Sequence, residues 1–596
     1  MTSQYDSAVR SITDHLASRD FASARSVICD DQHRALIYDC AWDLVLPALL
    51  ALEEDKDCER SVNTDDGQCL FKEIINRGKP KEVLLSLVEH LSEVKSISVL
   101  ATALEGVQSI LLSMPTKKRH FLQWALPSIE KYLTSLPDPQ NQPLEDDTQR
   151  VLLDADPAVQ MIVGSLKAVH SFLEPFIQEV SLARGSARDV QLDILEQRKQ
   201  LQNHLLSLLG RCGVLHTYSP PEKPESNSHA CAESLVHAVA HLSSDLAALS
   251  FSDAHKDCKN VPATCDKSSG DHFDEDEDSE DERVLHIAQI CPATLAYLLY
   301  AEFLAPESVP CVYSQRYIFE KNLGNVIFLL SHAVYVVNYK GIALCDAIVA
   351  RQSRGQYSSL DLDNSALTTL FRQLLKVMVT CPWKDVRERS VRVFCSYLKL
   401  FDAHARYSVY CCLLKREEHA GVRGFLVDRY RSDLHQWNRP PKESENPFGG
   451  CNIVNFLRIV CVLPEREETD LLNYSDCILA VLNLLRYIAL TSLKPSSHDV
   501  VNSVLRMAEV YGEQLKKGLD LSRAHYTLNL KQVEDKVAGE LKDDSDSMLL
   551  GMGLGALPNL PPEQEIEVMK SALARFDLME SVLVLAQDSL KLVSGS

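Results

Sequence analysis

Apolar residues in this chain recur at intervals of three and four, and that spacing removes most of fold space at once. Leu84, Leu87, Val88 and Leu91 fall on one face of a helix, as do Leu100, Leu104, Val107 and Leu111. The same period returns in Ile478, Leu482 and Leu485, and again in Ile566, Met569, Leu573, Phe576 and Leu583. Strand-like alternation of useful length is scarce. Only 22 glycines and 7% aromatics argue against an all-β design full of tight turns. Prolines are placed mainly between the periodic segments, at Pro80, Pro115, Pro127, Pro292, Pro382 and Pro464, where helix ends tolerate them. The chain reads as all-α.

At 596 residues it is too long for one compact globule. Helix pairs recur loosely, roughly every 35 to 50 residues, without a strict consensus, which suits a HEAT- or armadillo-like solenoid. Three segments break the pattern. Residues 216–231 are rich in Pro, Ser and polar groups, and residues 252–282 end in the acidic run Asp271 to Glu282; Ser234 to Leu249 between them reads as one helix. Lys531 to Pro562 is acidic and Gly/Pro-containing. Such compositions bury too little apolar area to offset the entropy of ordering. The expected layout is therefore a solenoid in two segments separated by an acidic disordered linker. Residues 1–215 form an amino-terminal domain, 216–284 the linker and 285–596 a carboxy-terminal domain with a disordered loop at about 531–560. The last helix opens at Pro561-Pro562-Glu563.

Chemistry is excluded class by class. Gly551, Gly553 and Gly555 lack the strand before and the helix after that a phosphate-cradling loop needs. Cys258 and Cys265, with His255 and His272 nearby, form no closely spaced zinc pair. No setting for an activated nucleophile is present, so neither an enzyme nor a cofactor is expected. The cysteines, among them Cys291, Cys345, Cys395, Cys461 and Cys477, sit in apolar helical patterns and read as small hydrophobes in a reducing compartment. The apolar run Val326 to Val337 is too short to span a bilayer. These readings point to a soluble, cytoplasmic protein without a membrane role.

One segment opposes the charge of the whole. Between Lys376 and Arg431 lie twelve Lys/Arg and six Asp/Glu, in a chain of net charge −22. Opposite local charge suits a surface built for a particular partner, and equally a set of solvated helix faces whose charges are spread around the solenoid; the overall acidity opposes nucleic acid. Within or near this segment Trp383, Arg387, Arg416 and Arg423 are candidate interface residues, Trp383 reading more readily as a core plug between helices and Arg416 and Arg423 flanking an expected turn at Gly421. Asn483 and Arg486, three apart on a later helix, and His525 beside Arg523 and Tyr526, complete the set. Glu465, Glu467, Glu468 and Asp470 are expected at a helix start, where the dipole favours carboxylates.

Several long segments also resemble a known family. LLKVMVTCPWKDVRERS (Leu374–Ser390), RYSVYCCLL (Arg406–Leu414), LPEREETDLLNYSDCILAVLNLLRYI (Leu463–Ile488), KKGLDLSRAHY (Lys516–Tyr526) and PNLPPE with SALARFDLMESVL (within Pro558–Leu583) are similar to the glomulin family. Fainter likeness is carried by Ala41–Leu50, Lys79–Leu91, Leu173–Val180 and Leu295–Tyr300, so the resemblance covers nearly the whole chain and is poorest at the acidic divider. It implies a HEAT-like solenoid that inhibits cullin-RING ubiquitin ligases. The carboxy-terminal half would grip the RING of the RING-box subunit and block docking of the ubiquitin-conjugating enzyme. The alternative it implies is an adaptor for FK506-binding immunophilins or a receptor tyrosine kinase.

Overall fold

A computed structural model describes residues 2–53, 64–114, 118–139, 154–183, 188–215, 226–251, 278–438, 446–491, 493, 497–537 and 561–594. Among these residues no β-strand forms; one isolated parallel bridge pairs Tyr357 with Phe401. The described residues are all-α, and the protein divides into two compact units, residues 1–351 with 381–393, and residues 352–380 with 394–596.

The first unit is built from α1 (Thr2–Ala17), α2 (Phe21–Cys29), α3 (Arg34–Leu52), α4 (Thr64–Arg77), α5 (Pro80–His90), α6 (Ile97–Ser113), α7 (Lys118–Ser135), α8 (Pro157–Leu182), α9 (Arg188–Cys212), α10 (Asn227–Leu242), α11 (Leu246–Ser250), α12 (Asp278–Tyr300), α13 (Gln315–Ser331) and α14 (Tyr335–Ala350). Each packs mainly on its neighbours in sequence: α3 on α4 and α5, α6 on α8, α9 on α10 and α12, α13 on α14. The stripes read from sequence largely face the core. Leu84, Leu87, Leu91, Leu100, Leu104, Val107 and Leu111 are buried and Val88 is half-buried.

Several expectations are corrected. Pro127 and Pro292 lie inside α7 and α12 rather than between helices, as do Pro47 in α3 and Pro175 in α8. An interior proline costs about 3 kcal/mol. α7 buries Phe121, Leu122, Leu126, Ile129, Tyr132 and Leu133, each contributing roughly 1.5–3 kcal/mol, so packing outweighs the break. The single helix expected over Ser234 to Leu249 is two, α10 and α11. Ser226 caps the first by accepting from His229 N, and Asp245 caps the second by accepting from Ala248 N at 2.9 Å. The acidic run joins the fold at its end: α12 begins at Asp278, and carboxylates are favoured at that dipole end. Residues 216–225 and 252–277 of the expected linker lie outside the described residues, with Cys258, Cys265, His255 and His272. The longest apolar stretch is not Val326 to Val337 but α3, the one described helix long and apolar enough to cross a membrane.

One buried charge stands out in this unit. Lys340 on α14 is 1% exposed, and its Nζ donates to the carbonyls of Cys212 (2.6 Å), Gly213 (2.9 Å) and Leu215 at the end of α9. Three acceptors match the three donors of an ammonium. They satisfy carbonyls that every helix terminus leaves unpaired.

The second unit holds α15 (Ser365–Thr380), the end of α16 (Lys384–Leu398), α17 (Ala403–Leu414), α18 (Ala420–Trp437), α19 (Cys451–Val460), α20 (Ser475–Thr491), α21 (His498–Val537) and α22 (Pro562–Ser594). α20 packs between α18 and α22, and α21 lies along α22. α22 opens at Pro562, where expected. α21 runs on to Val537, past the expected start of a loop at 531; residues 538–560, with the three glycines, lie outside the described residues. Among the described residues the cysteines form no disulfide. Burial pushes the Cys291 and Cys461 thiols up to about 12, which keeps them unreactive.

Candidate functional site

Helix α15 begins where Asn364 Oδ1 accepts from Ala366 N (3.0 Å), and it buries Leu367, Leu370, Phe371, Leu374 and Leu375 at helical spacing. Phe371 is held by rings on three sides: Tyr397 at 4.4 Å, Phe401 at 5.2 Å and Phe394 at 5.6 Å between centroids. Tyr397 also donates to Leu367 O at 2.9 Å, tying its helix to α15. Helix α17 starts at Asp402, whose carboxylate accepts from Ala405 N at 2.7 Å.

Between α15 and α17 runs an open groove of ≈ 650 Å³. Phe371, Leu375, Val379, Val409 and Leu413 make its floor; Arg372, Lys376 and Arg416 stand on its rim beside Glu417. The three cations are exposed. Only Arg372 has a recorded side-chain bond, donating to Thr369 Oγ1 at 3.0 Å. An apolar centre with a charged edge is the make-up of a protein-docking surface.

The candidate residues fare differently. Trp383 is 9% exposed and packs edge-on against Tyr335 at 5.1 Å; it is a core side chain of the first unit. Arg387 donates to the carbonyls of Cys381 (2.6 Å) and Pro382 (2.9 Å), closing the turn that Pro382 opens. Arg423 donates to Leu414 O (2.7 Å), Glu417 O (3.0 Å) and Ile459 O (3.2 Å) and so ties the end of α17 and the turn after it to α19 of its own unit. Gly421 is not in a turn but inside α18, which His419 caps from the residue before the helix. Arg416 reaches the groove rim. Asn483 and Arg486 lie together on the outer face of α20, both exposed and, among the described residues, with no recorded side-chain partner. That face exists because α18 approaches from the other side at Gly424, where an added Cβ would lie 2.8 Å from the Asp476 carbonyl oxygen. His525 is exposed on α21 and meets Asn529 at 2.9 Å, while Arg523 is held by Asp577 (2.9 Å) and Glu580 (2.7 Å).

The basic segment divides by residue type. Arg387, Arg389, Arg406, Arg423, Arg429 and Arg431 are bound within the fold. Arg389 meets Asp346 at 3.5 Å over the Tyr339 ring, and Arg406 lies 3.4 Å from Asp433 in a site where both are largely buried. Tyr410 donates to the same Asp433 oxygen at 2.9 Å. Burial pushes Asp433 up, opposed by Arg406 and Tyr410. Arg429 and Arg431 both hold Asp428. Lys376, Lys384, Arg392, Lys399, Lys415 and Arg416 remain exposed. The acidic stretch is also redistributed: Glu465 to Glu468 surround a 3-10 turn rather than a helix start, with Glu467 on Lys517 at 2.9 Å, and Asp470 accepts from Leu472 N and Asn473 N. Sequence reasoning missed Phe371, Arg372, Leu375, Val409 and Leu413. A signal was present, since Arg372 and Lys376 sit four apart beside the apolar stripe of α15.

A family model described as an uncharacterised protein family, YAP/Alf4/glomulin, matches residues 17–573. The chain belongs to the YAP/Alf4/glomulin family. Mouse (Mus musculus) glomulin is 25% identical over 584 residues, covering 96% of this chain and 91% of its own. Human (Homo sapiens) glomulin is 25% identical over 586 residues with the same coverage. Among solved structures, a circular tandem repeat protein aligns with 99% of this chain and 95% of its own at 13% identity and a TM-score of 0.25, too low to bear on the fold. Family membership over so much of the chain places the groove and the exposed face of α20 within the matched region.

Proposed function

We propose that this protein inhibits cullin-RING ubiquitin ligases. Its carboxy-terminal half binds the RING domain of the RING-box subunit and covers the face on which a ubiquitin-conjugating enzyme docks. Inhibition of this kind is steric and makes or breaks no bond. The observation that carries the reading is the α15–α17 groove, an apolar floor edged by Arg372, Lys376 and Arg416 in an otherwise acidic chain. The reading also draws on what the glomulin resemblance implies and on the family membership.

Ubiquitin chain formation by a RING-box–cullin complex, measured with saturating full-length protein, tests it. Chain formation is expected to fall, and Arg372→Glu with Lys376→Glu and Arg416→Glu to weaken the inhibition by tenfold or more, since truncating or reversing central interface groups costs roughly 1–2 kcal/mol or more. Unchanged ligase turnover at saturation would end the reading.

A further inference from the structure

We infer that the first unit carries a separate docking groove, between α3 and α5, for a basic amphipathic helix of a partner protein. Helix α3 is apolar enough to cross a membrane, yet only 39% of its apolar window is buried. One face is core: Ile37, Cys40, Ala41, Leu44, Val45, Ala48 and Leu49. The opposite face, where a surface helix ordinarily carries polar residues, presents Tyr38, Trp42, Leu46 and Leu50 four apart. Tyr38 is 48%, Trp42 46% and Leu50 52% exposed.

The neighbouring α5 completes the groove. Ser86 Oγ donates to the Trp42 carbonyl at 2.8 Å, fixing the two helices side by side. Leu85, 55% exposed, then faces the same ≈ 640 Å³ hollow as Trp42 and Leu46. Four-residue spacing forms the ridges and grooves along which helices interlock, and tryptophan is among the residue types enriched at the energetic centres of interfaces.

Charge selects the occupant. Asp43, Glu82 and Glu89 line the groove, and Lys79, the cation at one end, is already held by Asp39 (2.8 Å) and Glu82 (3.6 Å). An acidic rim repels an anionic lipid surface and a second copy of a chain carrying −22. It complements a helix with an apolar stripe flanked by Lys or Arg.

Fluorescence anisotropy with the full chain and three labelled synthetic helices tests this: leucine–lysine amphipathic, leucine–glutamate amphipathic, and lysine–glutamine without an apolar face. The third matters because an acidic protein attracts any cation. The leucine–lysine peptide is expected to bind best. Trp42→Ala, which changes no charge and removes a side chain already half in solvent, should weaken it roughly tenfold or more, and the exposed Glu89→Lys several-fold. Near-ultraviolet circular dichroism checks that both variants keep their packing. Equal binding of the leucine–lysine and lysine–glutamine peptides, or binding indifferent to both substitutions, overturns the inference. So does Trp42-dependent sedimentation with phosphatidylserine vesicles, or Trp42-dependent dimerisation, since each names another occupant. This groove is in the other compact unit from the α15–α17 groove, so either reading can fail alone.

Discussion

Replacing Lys340 with methionine removes an ammonium that the first unit has sealed from water. Burial pulls this lysine down to about 7, with Cys212 and Glu302 acting in the opposite direction. In the unfolded chain it titrates near the ordinary value of about 10.4. Between those two values the unfolded state binds the extra proton, so stability rises with pH. The contribution is complete above about 10.4 and is lost as pH falls through about 7. Each pH unit inside that window contributes about 1.4 kcal/mol, and near pH 7 the native group is itself half protonated. From pH 7 to 9 the native protein should therefore gain about 2 kcal/mol that Lys340→Met does not gain. The variant is also weaker at pH 7, because Cys212, Gly213 and Leu215 keep buried carbonyls without a donor. Leaving buried neutral acceptors unpaired costs roughly 1–3 kcal/mol. Urea unfolding in a Trp437→Phe background reads this unit alone, since Trp42, Trp124 and Trp383 all belong to it. Parallel pH profiles for native protein and Lys340→Met would refute the reasoning, as would a variant as stable as the native chain at pH 7.

Trp383→Ala should cost roughly 3–5 kcal/mol in the same unfolding assay while leaving partner affinity of the folded protein unchanged; a stable variant with lost binding would return Trp383 to an interface. Arg406→Met leaves Asp433 buried without its cation and should destabilise the second unit by about 3–5 kcal/mol. Arg406→Met with Asp433→Leu should recover much of that loss, read from Trp437 emission in the absence of the other tryptophans. Asn483→Ala should stay within about 0.5 kcal/mol of the native protein, since its side chain is exposed and contacts nothing recorded; a larger loss in thermal unfolding would mean the α20 face is covered.

What was legible in the sequence is what local spacing decides. Leu100, Leu104, Val107 and Leu111 needed only the helical period to be placed inside, because a stripe on one side of a helix has to be buried against something. The α15–α17 groove required knowing which helices become neighbours. That depends on Tyr397 reaching Leu367 and on Phe371 sitting among three rings, contacts that periodicity does not specify. Trp383 followed the same rule: Tyr335, far away in the chain, makes it a core residue. The interior prolines escaped because the cost of a proline is local, whereas the burial that offsets it is tertiary.

The charge reading is settled by tertiary contacts. The sequence leaves Lys376 to Arg431 open between a partner surface and helix faces of dispersed charge; in the structure six of its arginines turn to carbonyls and carboxylates of the fold, and all four of its lysines stay in water. Guanidinium groups present planar, multiple donors and are weakly hydrated, so they satisfy buried acceptors at modest cost; a compact ammonium is held more strongly by solvent. Where lysines are bound inside, the acceptors are concentrated: Lys340 meets three carbonyls and Lys118 both oxygens of Glu179. A sum of charges along a sequence therefore overstates the field a partner meets, and the overstatement grows with the arginine share. At the groove proposed for docking in the second unit the cations are Arg372, Lys376 and Arg416, and it is there that reversal of sign should be felt.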